Sequence, residues 1–292
     1  MDDFTSAVEL IRPHLAAVEL EFVAAGIVIH LSKLAARTQA WRNIIAAAYP
    51  DAEVRRRAVF GAYAAGLAVN SVVPARSGEL VRLWLVRREI PGATYPTLVV
   101  TLFVEMLFNS LVAFGLVVWA ARAGALPLPD GDSSIILGGV AAALVIGVGI
   151  TVLWRRRGRW ATLGRGAAVL EDRRAYASRV ACWQAADWLL RLATVACFLE
   201  AFDAGGGWRL VLIVQAVQSA STIVPFAPLR LGMRQALLGT ALVAQAPLAG
   251  VLLFTLGMEV ALGAVNMALG FGALTLMLGT VRWRRAVAAV PA

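Results

Sequence analysis

A chain of 292 residues in which 60% are hydrophobic and only 15% are charged, with a mean hydropathy of +0.75, is not an ordinary soluble domain. Such a domain carries about a quarter charged residues, and its apolar runs rarely reach the roughly 20 residues needed to cross a bilayer, as several do here. The net charge of +9 rests almost wholly on arginine, Lys33 being the only lysine. Arginines gathered in short loops mark the cytoplasmic face of a polytopic membrane protein, whereas nucleic-acid binding would need a basic soluble surface and a fold motif to carry it.

Residues 1–292 therefore read as a single integral membrane domain of all-α class. The acidic start, M-D-D-F-T-S, lacks the basic region of a cleaved signal peptide. His14 to Leu34 form the first candidate span, and the stretch from Arg37 to Arg57, with five arginines against Asp51 and Glu53, reads as a cytoplasmic loop. That places the N-terminus outside. The apolar segment Ala58 to Val73 is about 16 residues, or roughly 24 Å of helix, short of the hydrocarbon core. It ends at Pro74, and Ser77 is placed to cap a second short helix that carries Glu79 and Arg82 and leaves at Arg87 and Arg88. Two short helices with basic outer ends predict a re-entrant hairpin over 58–90, dipping in from the cytoplasm and returning.

Thr94 to Ala121 is a full span, followed by an acidic outer loop with Asp130 and Asp132. Ser134 to Trp154 returns inward and opens a segment from Arg155 to Arg179 with eight arginines, the most basic in the chain. It reads first as the positive-inside signal and second as a short helix on an anionic leaflet. Val180 to Leu199 goes back out, with Asp187 and Arg191 spaced to meet on one helix face. Cys182 and Cys197, about 15 residues apart on that helix, are roughly 22 Å from each other, too far for a disulfide. Trp208 to Val224 is again too short and runs into Pro225 and Pro228, then Ala236 to Ala246, predicting a second hairpin over 208–246. Leu252 to Val281 is the last span, and Arg282, Arg284 and Arg285 place the C-terminus in the cytoplasm.

Laying Pro74 over Pro228 aligns P-A-R-S-G with P-L-R-L-G, so that Pro, Arg and Gly coincide at the breaks of both hairpins. The two hairpins enter from opposite faces, as an inverted repeat requires, with one half-repeat over 14–121 and the other over 134–281. Broken half-helices meeting at depth offer free N–H groups and a positive dipole end to an anionic guest.

The motifs A-W-R at Ala40 to Arg42, N-S-V-V-P-A-R-S-G-E-L-V-R at Asn70 to Arg82 and F-V-E-M-L-F-N at Phe103 to Asn109 make the chain resemble flippase-like proteins related to the lysylphosphatidylglycerol synthase transmembrane region. It departs from that pattern at Met106, Asn109 and Gln235, where neutral residues stand for charged ones. The resemblance implies a transporter of lipids with anionic head groups, of phospholipid or polyprenyl-phosphate type, in the inner cell membrane. The candidate substrate-binding residues are Asn70, Arg76, Ser77, Gly78, Glu79, Arg82, Glu105, Arg230, Gly232, Arg234 and Gln235. Arg76, Arg82, Arg230 and Arg234 would neutralise the head group, since a guanidinium binds phosphate bidentately and stays charged when dehydrated. Glu79, three residues from both Arg76 and Arg82, would hold them when no lipid is bound, and Glu105 would pair with an arginine or carry a proton. The plain alternative for these residues is an ion-pair network that only fixes the hairpins. A non-transporting accessory subunit for a lipid-modifying glycosyltransferase is the other function class. No Ser/His/Asp set, metal-ligand spacing or glycine-rich phosphate loop points to an enzyme, a cofactor or a metal.

Overall fold

The computed structural model describes residues 18–72, 77–125, 161–205, 207–223 and 248–279, and every regular element among them is helical. In chain order these are α1 (Leu20–Ala48), α2 (Arg56–Val72), α3 (Ser77–Glu89), α4 (Tyr95–Arg122) and the short α5 (Ala161–Gly166). A single 3-10 turn, Ala168–Leu170, leads to α6 (Arg173–Tyr176), which passes through a π-helical segment, Ala177–Ala181, directly into α7 (Cys182–Ala201). Helices α8 (Trp208–Ile223) and α9 (Leu248–Leu278) complete the described chain. The span expected at 134–154, the arm at 236–246 and the C-terminal arginines lie outside the described residues, as do Pro74, Arg76, Pro225, Pro228, Arg230, Gly232, Arg234 and Gln235.

By length and composition α4 and residues 253–278 of α9 are apolar enough to cross a bilayer. Helices α2 and α3, at about 26 Å and 20 Å, both fall short of the ~30 Å hydrocarbon core. The first helix departs from its expected bounds. It runs on to Ala48, so that Arg37 and Arg42 stand on the helix and not in a loop. Its continuation is permitted by an unbroken run of helix-compatible residues from Lys33 to Ala48, with no proline or glycine to stop it.

Contacts divide the chain into two compact units, each discontinuous in sequence. One comprises residues 1–32, 109–150 and 188–261, the other 33–108, 151–187 and 262–292. The long helices α1, α4, α7 and α9 contribute residues to both. In the first unit α1 meets α7 where Gly26 faces Phe198, and the Glu19 N–H donates to the Ala201 carbonyl at 3.0 Å. There the Trp188 indole also donates to Asn109 Oδ1 at 3.0 Å.

The second unit is built on the helical hairpin of α2 and α3. Asn70 Oδ1 accepts the Gly78 N–H at 2.8 Å, so the first turn of α3 is capped from α2 and not by Ser77. Ser77 is itself the first residue of the helix, and its Oγ is buried without a hydrogen-bond partner among the described residues. Gly66 and Gly78 bring the two backbones together, and Gly270 of α9 lies equally close to the Ala64 carbonyl. Apolar residues gain little by leaving lipid for protein, so close backbone approach over small residues carries the packing of such helices. Behind the hairpin, Ala40 and Ile44 of α1 and Val100 and Val104 of α4 pack with Ala167, Val169 and Val180. The described part of the basic 155–179 segment thus presses its apolar residues onto α1 and α4. Exposed Arg165, Arg173, Arg174 and Arg179 remain on its outer side.

Close packing makes a paired prediction. A Cβ on Gly78 would stand 1.9 Å from the Gly66 carbonyl oxygen and 2.7 Å from the Asn70 side chain, whereas one on Gly115 of α4 meets nothing within 4 Å. Gly78→Ala is expected to lower stability by at least about 1–3 kcal/mol through overpacking. Gly115→Ala is expected to be neutral or stabilising by up to about 1 kcal/mol, from helix propensity. Thermal unfolding of the two variants in the same detergent checks the contrast.

Candidate functional site

The chemistry of the second unit converges on Glu105, on α4, whose side chain is 1% exposed. Its Oε1 accepts a hydrogen bond from Arg37 Nε at 2.8 Å, and its Oε2 accepts one from Arg82 Nη2. One carboxylate is therefore shared by two guanidinium groups, from α1 and from α3. Hydrogen bonds between ionised partners are about twice as strong as neutral ones, which is what makes burial of this set tolerable. Arg82 spends its other terminal nitrogen on Glu79, with Nη1 3.2 Å from Oε2 across one turn of α3.

Aromatic rings complete the surroundings of Arg82. Its guanidinium lies over Trp41 at 4.2 Å and over Tyr63 at 4.9 Å from the ring centroids, and Arg37 shares Tyr63 at 5.7 Å. Cation–π contacts of this kind contribute about 0.5–2 kcal/mol each, more where water is excluded. Trp41 stands one turn after Arg37 on α1, so both face the cluster. The Trp41 indole is fixed by donating to Thr101 Oγ1 at 3.1 Å, and Thr101 lies one turn before Glu105 on α4 and donates to the Leu98 carbonyl at 2.6 Å.

The third wall comes from α7. Gln184 Nε2 donates to the backbone carbonyl of Glu105 at 2.8 Å, and buried Asp187 acts electrostatically on Arg37. The π-helical turn before them widens the helix, and Asn43 Nδ2 of α1 donates to the Arg179 carbonyl at 2.6 Å. Asn43 is held in turn by Gln39, whose Nε2 donates to Asn43 Oδ1 at 2.9 Å.

Of the residues singled out in the sequence, the structure gathers Glu79, Arg82 and Glu105 into one cluster and places Asn70, Ser77 and Gly78 at the turn that leads into it. Arg37, Trp41, Tyr63, Gln184 and Asp187 were not foreseen there. Arg37 and Trp41 carried a signal in their one-turn spacing on a continuous helix. Asp187 was expected opposite Arg191, whose guanidinium lies over Trp188 at 4.7 Å. Among the described residues no three acidic, histidine or cysteine side chains gather to hold a metal ion. What the cluster can do is present a pre-organised cation, through Arg37 or through exchange of the 40%-exposed Glu79 for another anion.

Residues 5–270 match the family model described as Lysylphosphatidylglycerol synthase TM region. No curated protein and no solved structure matches.

The shared carboxylate sets an order of stabilities. Glu105→Leu leaves two guanidinium groups without their common partner and is expected to cost about 3–5 kcal/mol. Arg82→Met is expected to cost less, since Glu105 keeps Arg37, and the Arg82→Met/Glu105→Leu double variant is expected to recover part of the loss. Denaturant unfolding of the three variants in detergent micelles measures that order, and a double variant less stable than Glu105→Leu would contradict it.

Proposed function

The chain belongs to the lysylphosphatidylglycerol synthase TM region family, a membrane protein of lipid metabolism or transport, and on that premise we propose that it moves a lipid with an anionic head group between leaflets. The observation that carries this reading is the Arg37–Glu105–Arg82 cluster against the arms of a hairpin of two helices too short to span a bilayer. Charges buried in an apolar membrane chain are costly and mark substrate pathways. A broken helix pair at membrane depth is tolerated where it lines a cavity or is buried in protein.

In this reading the hairpin is re-entrant from the cytoplasmic side, and residues 208–246 form its counterpart from the other side as an inverted repeat. The head group, a phospholipid or polyprenyl-phosphate type, is neutralised by Arg76 and Arg82 on the side of the first break and by Arg230 and Arg234 on the side of the second. With Arg37 and Arg42 assigned to α1, Arg55 to Arg57 and Arg87 and Arg88 support a cytoplasmic side for that end of the hairpin. The N-terminus is then outside and the C-terminus cytoplasmic, in the inner cell membrane. The protein moves its lipid unchanged and is not an enzyme.

Reconstitution into liposomes with fluorescent anionic lipids tests the reading. Wild-type protein is expected to expose inner-leaflet label to an external quencher, and Arg76→Ala and Arg230→Ala are expected to slow this at least tenfold while remaining folded. Undiminished movement in both variants sinks the site assignment. A wild-type protein that moves no lipid but co-purifies with a glycosyltransferase would favour the accessory-subunit reading.

A further inference from the structure

The four terminal N–H groups of Arg37 are a second feature of the cluster, separate from the arginines of the two breaks. We propose that Arg37 also contacts the phosphate of the head group, and that Arg82, whose charge helps to neutralise that group, positions Arg37 without touching the ligand. The inference rests on the lipid-transport reading and names a contact within it. Three observations carry it.

Access comes first. The Arg37 side chain is 21% exposed, against 6% for Arg82 and 1% for Glu105, so a ligand reaches Arg37 without first unpacking the cluster. Hydrogen-bonding capacity comes second. Arg82 has both terminal nitrogens engaged, one by Glu79 and one by Glu105. Arg37 binds Glu105 through Nε alone, and its Nη1 and Nη2 donate to no group among the described residues. That leaves open the paired terminal N–H groups that hold a phosphate in two parallel hydrogen bonds. Asp187 attracts Arg37 electrostatically.

Pre-organisation is the third. A free arginine loses up to about 2 kcal/mol of rotamer entropy when ordered by a ligand. Arg37 is ordered beforehand, with Nε fixed by Glu105 and its plane near the Tyr63 ring, so binding of the anion is relieved of most of that loss. Glu105 in turn is held by Arg82, which is wedged between Trp41 and Tyr63. Arg82 thus acts on the ligand through Glu105 and Arg37.

The test uses the full-length protein in maltoside micelles, treated with phenylglyoxal and mapped by mass spectrometry. Arg37 is expected to be modified at least fivefold faster than Arg82, and phosphatidylglycerol is expected to slow its modification at least fivefold. Protection by inorganic phosphate as well assigns the contact to the phosphate alone. Protection by phosphatidylglycerol only assigns it to the lipid, and both results support the proposal. Modification of Arg37 unchanged by either anion overturns it. In liposomes, Arg37→Gln is expected to raise the half-saturating lipid fraction about tenfold in the protein that remains folded, beyond any loss of stability from removing a partner of Glu105, with partial rescue by Arg37→Lys. Wild-type protein that moves no lipid defeats the transport reading, whatever protects Arg37. Wild-type movement with an unaltered half-saturation in Arg37→Gln defeats this inference alone.

Discussion

The second unit depends on one carboxylate. Glu105 is the only acid within ion-pairing distance of both Arg37 and Arg82 among the described residues, and through them it ties α4 to α1 and to the second arm of the hairpin. In an apolar chain a buried guanidinium without a partner costs several kcal/mol, so each arginine is stable in its place only while Glu105 is in its own. The position of α3 is therefore fixed electrostatically at Arg82, while its packing on α2 is fixed sterically one turn earlier at Gly78. This helix of 13 residues buries Leu83, Leu85 and Val86, and is further located by two points of attachment of different kinds.

Those two points are mutually dependent. Arg82 lies against Gly66, where an added Cβ would come within 3.2 Å of its own Cβ. A larger residue at 66 or 78 would push the arms apart and draw Arg82 away from Trp41, Tyr63 and Glu105 together. The glycines thus act on the charge cluster through distance alone. Asn70 joins the two effects, since its side chain satisfies the Gly78 N–H across the gap that the glycines leave.

The break itself was legible in the sequence because proline, glycine and charge interrupt an apolar run, and the arms found at 56–72 and 77–89 lie within a few residues of those read from it. The full spans at α4 and α9 were legible for the same reason of length and apolarity. The continuation of α1 was not. Arg37, Gln39, Arg42 and Asn43 have the composition of a loop, yet each donates a side-chain hydrogen bond to a protein group, Gln39 within the helix and the other three beyond it. Positive-inside counting treats every arginine as a solvated loop charge, and it miscounts one that is consumed 68 residues away by Glu105. The counterpart break at 225–235 lies outside the described residues, so the second half of the site is a reading of sequence.

The π-helical turn before α7 is the clearest case of information that local pattern does not carry. Nothing in A-S-R-V-A announces a wider turn, and the residues there are ordinary for an α-helix. At this turn Asn43 Nδ2 donates to the Arg179 carbonyl, and Asn43 is oriented by Gln39 on the same face of α1. An extra residue in a turn rotates everything that follows by about 100° relative to an uninterrupted helix. Gln184 and Asp187 follow, and they are the two residues of α7 that serve Glu105 and Arg37. The polar face of α1 therefore meets the cluster directly through Arg37 and Trp41, and through Asn43 it meets the turn that leads into the helix that closes it.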